Sequence, residues 1–89
     1  MKKTYKITLA EGLHARPTTL LVSVVNKFQS EVTITYKDKT VNLKSIMGVM
    51  SLAVALDSVV EISAEGADAE ELLNAVTEVM TSNGIGEEC

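Results

Sequence analysis

The chain is poor in the residues that most often announce chemistry. Its 89 residues include no tryptophan and only one each of phenylalanine, proline, histidine and cysteine. A single cysteine, Cys89, rules out an internal disulfide, which fits a reducing compartment. One histidine and one terminal cysteine give no spacing for three or four metal ligands, so no metal and no cofactor is expected. A hydrolase built on Cys89 is excluded for a similar reason: the residue sits in the tail, and the chain is too small to enclose a substrate. No apolar run is long enough to cross a bilayer. Residues 1–9 are basic but lack the roughly 7–15-residue apolar stretch of a signal peptide. The expectation is a cytoplasmic protein without membrane insertion.

Bases are missing from half of the chain. Residues 1–44 carry eight bases against three acids, a net of +5, whereas residues 45–89 carry nine acids and no base, a net of −9. The overall charge of −4 argues against direct binding of nucleic acid, which needs phosphate neutralisation over a broad face. It leaves room for a local basic patch toward one anionic or acidic partner. The length, inside the range of roughly 50–250 residues, predicts one domain over 1–89. A domain of this size buries only about two-thirds of its unfolded surface, so any site lies at the surface.

What is present is strong periodicity. Residues 4–9 place Tyr5, Ile7 and Leu9 on one face and Thr4, Lys6 and Thr8 on the other, the pattern of a half-buried strand. Gly12 marks a loop over 10–16. Pro17 suits the first turn of a helix, and Leu21, Val24, Val25 and Phe28 give that helix an apolar stripe over about 16–28. Val32, Ile34 and Tyr36 alternate through 31–36. A Lys37-Asp38-Lys39 break and a short partner strand from Thr40 to Leu43 then complete a hairpin. Ser45 precedes a short helix at about 46–52, whose buried stripe would be Val49, Leu52 and Ala53. Val59 to Ala64 reads as the fourth strand. Asp68 with Glu71 forms a capping-box pattern ahead of a last helix, with Leu72, Leu73, Val76, Val79 and Met80 inward and Gly84 and Gly86 as stops. The order β-α-β-β-α-β-α with alternating strands predicts an α+β fold: a four-stranded antiparallel sheet with three helices on one face.

His14, the only histidine, lies just before the proline-started helix. A lone surface histidine is ordinarily of no consequence, but its neighbours suit an anion. A helix N-terminus presents free N–H groups and partial positive charge, the nearest donors being Ala15 and Arg16. The Arg16 side chain adds a cation that can fork to a phosphate. An imidazole there can carry a phosphoryl group on nitrogen while the amides hold it. Ile46, Met47, Val49 and Met50 crowd the short helix: either all enter the core, or some face water as an adaptable docking patch. Ser45 is ordinarily explained as an N-cap. Phosphorylated, it would place about −1.5 to −2 charge at a helix start, beside that patch.

Gly12-Leu13-His14-Ala15-Arg16-Pro17 resembles the active loop of the HPr family, the histidine-containing phosphocarriers of the bacterial phosphoenolpyruvate:sugar phosphotransferase system. Lys44-Ser45-Ile46-Met47-Gly48-Val49-Met50 resembles that family's second signature, in its Gram-positive form. The resemblance runs from about residue 3 to residue 86, leaves only Glu87-Glu88-Cys89 outside, and implies the family's open-faced sandwich. It implies that His14 accepts a phosphoryl group on Nδ1 from enzyme I and passes it to sugar-specific IIA domains, with Arg16 stabilising the group in transit. It implies that Ser45 is phosphorylated from ATP by HPr kinase/phosphorylase and that the modified form partners catabolite control protein A. Leu20, Lys27, Lys44, Ile46, Met47 and Met50 are the expected docking residues of a monomeric carrier. A non-catalytic regulatory module with the same fold is the alternative; the relative Crh lacks the active histidine, and His14 argues against it. The nitrogen-system relative differs around the serine. Three positions depart from the family pattern: Glu11 in the loop, Thr18 after the proline, and a hairpin turn without glycine.

Overall fold

The computed structural model describes all residues from Met1 to Cys89. The elements run β1 (Lys2–Ile7), α1 (Ala15–Val25), β2 (Glu31–Tyr36), β3 (Lys39–Asn42), α2 (Ile46–Met50), β4 (Val59–Glu65), α3 (Ala69–Ser82) and β5 (Gly86–Glu88). All pairings are antiparallel, in the order β3-β2-β4-β1-β5. The period-two residues do what their spacing predicts. Tyr5, Ile7, Val32, Ile34, Val60, Ile62 and Ala64 turn to one side of the sheet and are buried. On that side they join Leu21 and Val25 of α1, Val49 of α2, and Leu72, Leu73, Val76 and Met80 of α3 in one apolar cluster. The other side of the sheet is open.

The sheet has five strands, not the four expected. Gly86, read from sequence as a helix stop, begins a strand: Ile7 pairs with Gly86, Lys6 with Glu87 and Tyr5 with Glu88. Three residues reading Gly-Glu-Glu carry no apolar alternation, so pattern alone could not find them. Buried Ile85 anchors the segment. A side chain at 86 would bring its Cβ to 2.7 Å from the Lys6 carbonyl oxygen, so glycine lets the strand close against β1.

Helix ends also differ from expectation. α1 stops at Val25 because its last turn tightens: Lys27 N–H bonds Val24 C=O at 3.2 Å, and Phe28 N–H bonds Val25 C=O at 3.2 Å. Phe28 still packs on the core. α2 stops at Met50 with the same tightening, and Ala53, at φ +53, is exposed rather than buried. Leu52 does enter the core.

The capping box at α3 does not form as read, since Asp68 makes no side-chain bond to its own helix. Its carboxylate accepts the backbone N–H groups of Gln29 and Ser30, each at 2.9 Å, and the Ser30 hydroxyl. The Ser30 hydroxyl in turn accepts the Asp68 N–H at 3.2 Å. These bonds fasten the α1–β2 turn to the start of α3.

The Ser30 hydroxyl, aided by the Gln29 N–H, holds the Asp68 carboxyl below its ordinary pKa of 3.8. A group whose folded pKa is depressed adds stability that is complete above its unfolded pKa, about 3.9, and is lost as pH falls through the folded value. Asp68→Asn replaces an acceptor with a group that is half donor. It is expected to lower the Tm at neutral pH and to flatten the acid limb below about pH 4. Thermal unfolding followed from pH 7 to pH 2 reads both; parallel curves for the variant and the native chain would assign the acid sensitivity to other groups.

Candidate functional site

The loop between β1 and α1 is built by backbone bonds. Gly12 N–H donates to Leu9 C=O at 3.0 Å, Leu13 N–H to Val54 C=O at 3.0 Å, and His14 N–H to Gly12 C=O at 3.0 Å. Gly12 has φ +69, and a Cβ there would lie 2.0 Å from the Val54 carbonyl oxygen. Only glycine combines that torsion with so close an approach. The 54–58 segment is itself tied to β1, because Ile7 N–H bonds Ser58 C=O at 2.8 Å and Asp57 N–H bonds Ile7 C=O at 2.9 Å. Two connecting segments therefore brace each other at the end of β1.

His14 is the N-cap of α1, with extended backbone and no side-chain bond to the helix. Its carbonyl accepts the Thr18 N–H at 3.1 Å. Pro17 has no N–H, so the first turn leaves two peptide donors, Ala15 and Arg16, without an intrahelical acceptor. Both residues are exposed, and His14 is half-buried. A shallow depression beside the imidazole is lined by Leu9, His14, Arg16, Pro17, Leu20, Asn83 and Ile85. Arg16 takes part in none of the three ion pairs, which leaves its guanidinium available. Glu11 is exposed and does not line the depression. Thr8 seats the C-terminal wall: its N–H bonds Ile85 C=O at 2.9 Å and its hydroxyl donates to Gly84 C=O at 3.1 Å. That wall was invisible in the sequence, since nothing in residues 83–86 announces proximity to residue 14.

Ser45 caps α2 as expected, its Oγ accepting the Gly48 N–H at 3.0 Å. Of the apolar residues in that segment, Val49 is core, whereas Ile46, Met50 and above all Met47, at 84% exposure, face solvent. α2 packs on α1, where Leu20 is also exposed, so the apolar docking candidates lie on adjacent helices. The two lysines named with them behave differently. The Lys44 ammonium is engaged, donating to Phe28 C=O at 2.9 Å. Lys27 lies in the groove between α1 and α3, together with Glu78 and Val79. The basic half of the sequence likewise does not gather round His14. Lys2, Lys3 and Lys6 meet Glu61, Glu88 and Asp57 at 3.8, 3.5 and 3.8 Å.

Residues 1–82 match the family model described as the PTS HPr component phosphorylation site. The chain belongs to the HPr family. It is similar to the histidine-containing phosphocarrier protein of a Mycoplasma, at 38% identity with a TM-score of 0.93 over 96% of this chain and 97% of that one. It is similar to phosphocarrier protein HPr from Bacillus anthracis, at 44% identity and a TM-score of 0.83 over 89% and 94% of the two chains. Crh, the Bacillus subtilis catabolite repression protein, is also similar, at 40% identity and a TM-score of 0.73 over 86% and 88%. Membership agrees with the open-faced arrangement of sheet and helices, and makes the chain a phosphocarrier or regulatory component of the phosphotransferase system. No helix is long and apolar enough to cross a membrane.

Within an HPr fold the loop must stay where Val54 holds it. Gly12→Ala adds a left-handed torsion for a residue with a Cβ, itself worth about 1–2 kcal/mol, and a backbone collision. It is expected to destabilise the chain by more than about 2 kcal/mol in urea unfolding, with the amide shifts of Leu13 to Arg16 displaced in NMR spectra. A stability loss within about 0.5 kcal/mol would mean that the loop gives way without cost.

Proposed function

We propose that the chain is a reversible phosphoryl carrier of the sugar phosphotransferase system, with His14 as acceptor and donor. The observation that carries this reading is the placement of a free imidazole at the start of α1. There, an unpaired Arg16 lines the same depression as the imidazole, and the Ala15 and Arg16 N–H groups at the helix start have no intrahelical acceptor. The His14 Nδ1 lone pair attacks the phosphorus of phosphorylated enzyme I; the new N–P bond forms as the donor's N–P bond breaks, and that electron pair returns to the donor nitrogen. Arg16 and the helix amides stabilise the charge on the moving oxygens. The reverse geometry serves donation to a sugar-specific IIA domain. A shallow site suits a carrier, because it holds the group without trapping it. Leu20, Ile46, Met47 and Met50 form the surface on which partners dock.

Ser45 is proposed as a regulatory site, phosphorylated from ATP by HPr kinase/phosphorylase and then recognised by catabolite control protein A. What supports this is its half-buried Oγ at the head of α2, next to exposed Ile46 and Met47. Phosphorylation would bring about −1.5 to −2 charge onto the edge of an apolar docking patch and oppose an acidic partner there.

His14→Ala is expected to abolish labelling from radioactive phosphoenolpyruvate in the presence of enzyme I, and Arg16→Ala to leave the fold intact while slowing transfer roughly ten- to a thousandfold. Persistent labelling of His14→Ala would sink the carrier reading and leave the regulatory module. Mass mapping after incubation with ATP and the kinase should find phosphate on Ser45, and Ser45→Asp should weaken transfer from enzyme I. An unmodified Ser45 would reduce it to a helix cap.

A further inference from the structure

Thr18 departs from the alanine or serine common in the family, and its surroundings show what the hydroxyl does. The side chain is fully buried, at 0% exposure, in the first turn of α1. Its Oγ1 donates to Leu13 C=O at 3.2 Å, and its N–H donates to His14 C=O at 3.1 Å. These two carbonyls belong to the peptide units on either side of the His14 Cα. The preceding unit, Leu13 C=O with His14 N–H, is held at its carbonyl by the Thr18 hydroxyl and at its N–H by Gly12 C=O. The following unit is held at its carbonyl by the Thr18 amide. The φ and ψ of His14, −80 and −167, are the rotations between those two units, so one residue fixes both. Any residue at 18 supplies the amide. Only a hydroxyl supplies the other half, because the N–H four residues beyond Leu13 would belong to Pro17 and does not exist.

We infer that Thr18 is a positioning residue for His14: its hydroxyl locks the peptide unit ahead of the histidine and so fixes the backbone from which the imidazole projects. This inference rests on the reading of His14 as the phosphoryl acceptor. Without the hydroxyl, a buried carbonyl loses its donor and the unit is free to rock. A misplacement of about 1 Å at a reacting atom costs up to about a hundredfold in rate.

The test compares Thr18→Val, which keeps shape and removes the hydroxyl, with Thr18→Ser, which keeps the hydroxyl, and with Thr18→Ala, which removes it without adding bulk. Transfer from phosphorylated enzyme I is measured with each full-length variant as the varied substrate. The three-bond HN–Hα coupling of His14 is measured by NMR on the unphosphorylated protein. The expected result is a kcat lowered roughly ten- to a hundredfold in Val and Ala with KM unchanged, since the docking residues are untouched. The His14 coupling should shift toward an averaged value in those two, and both readouts should be restored in Ser. Wild-type kcat and coupling in Val or Ala would overturn the inference, as would Ser slowed as much as Ala, or Val and Ala both failing to fold. Failure of the carrier reading shows separately, as absent labelling of the unsubstituted chain.

Discussion

β4 hydrogen-bonds to β1 along one edge and to β2 along the other, with Val60, Ile62 and Ala64 all turned to the same side. That apolar face has to be covered, and three short helices cover it. Everything about the candidate site follows from how α1 does so. Leu21 and Val25 point into the sheet, which sets the helix axis and leaves its N-terminus at the end of β1. There, Leu13 N–H hooks onto Val54 C=O and the Thr18 hydroxyl onto Leu13 C=O. The helix start is held by backbone on one side and by buried core on the other. His14, half-buried, sits between residues that are anchored on both sides.

The uneven charge of the sequence resolves into the sheet. β1, the strand richest in lysine, lies between β4 and the acidic β5; Lys2 faces Glu61 of β4, Lys3 faces Glu88 of β5, and Lys6 faces Asp57 in the segment before β4. Exposed pairs of this kind contribute little to stability, typically below about 1 kcal/mol each. Their larger effect is to quench the positive charge of the N-terminal half away from the helix start. Arg16 is left as the cation beside the imidazole, with Lys44 turned to Phe28 C=O and Lys27 beside Glu78. The electrostatics of the site are therefore local: one guanidinium and the end of one helix.

The parts of this fold legible in the sequence are those with a repeating period. Tyr5 and Ile7, Val32 and Ile34, and Val60 and Ile62 could each be assigned to a buried face from alternation, and the α1 and α3 stripes from 3.6-residue spacing. Ser45 and Pro17 could be placed at helix starts because their chemistry is local to the next turn. What was hidden depends on distant chain. Asp68 looks like a cap for α3 until Ser30 and the Gln29 N–H come within reach from 38 and 39 residues away. β5 has no period at all and exists because Ile85 is buried and Gly86 lets two backbones close. Lys44 reads as a docking base, yet its ammonium donates to the Phe28 C=O in the turn just past α1. The loop motif located the candidate site but not the Val54 carbonyl or the Ile85 wall, both supplied by residues whose identity says nothing about the role.

Two of the donors free at the start of α1, beside the imidazole, are peptide N–H groups, those of Ala15 and Arg16. Side-chain replacement at either position leaves its amide in place, proline excepted. This part of the candidate site is thus written in backbone conformation rather than in codons, and residue-by-residue comparison of sequences would not register it. Mutations that weaken it will be found at positions that bend the chain, such as Gly12, more readily than at the residues that line the surface.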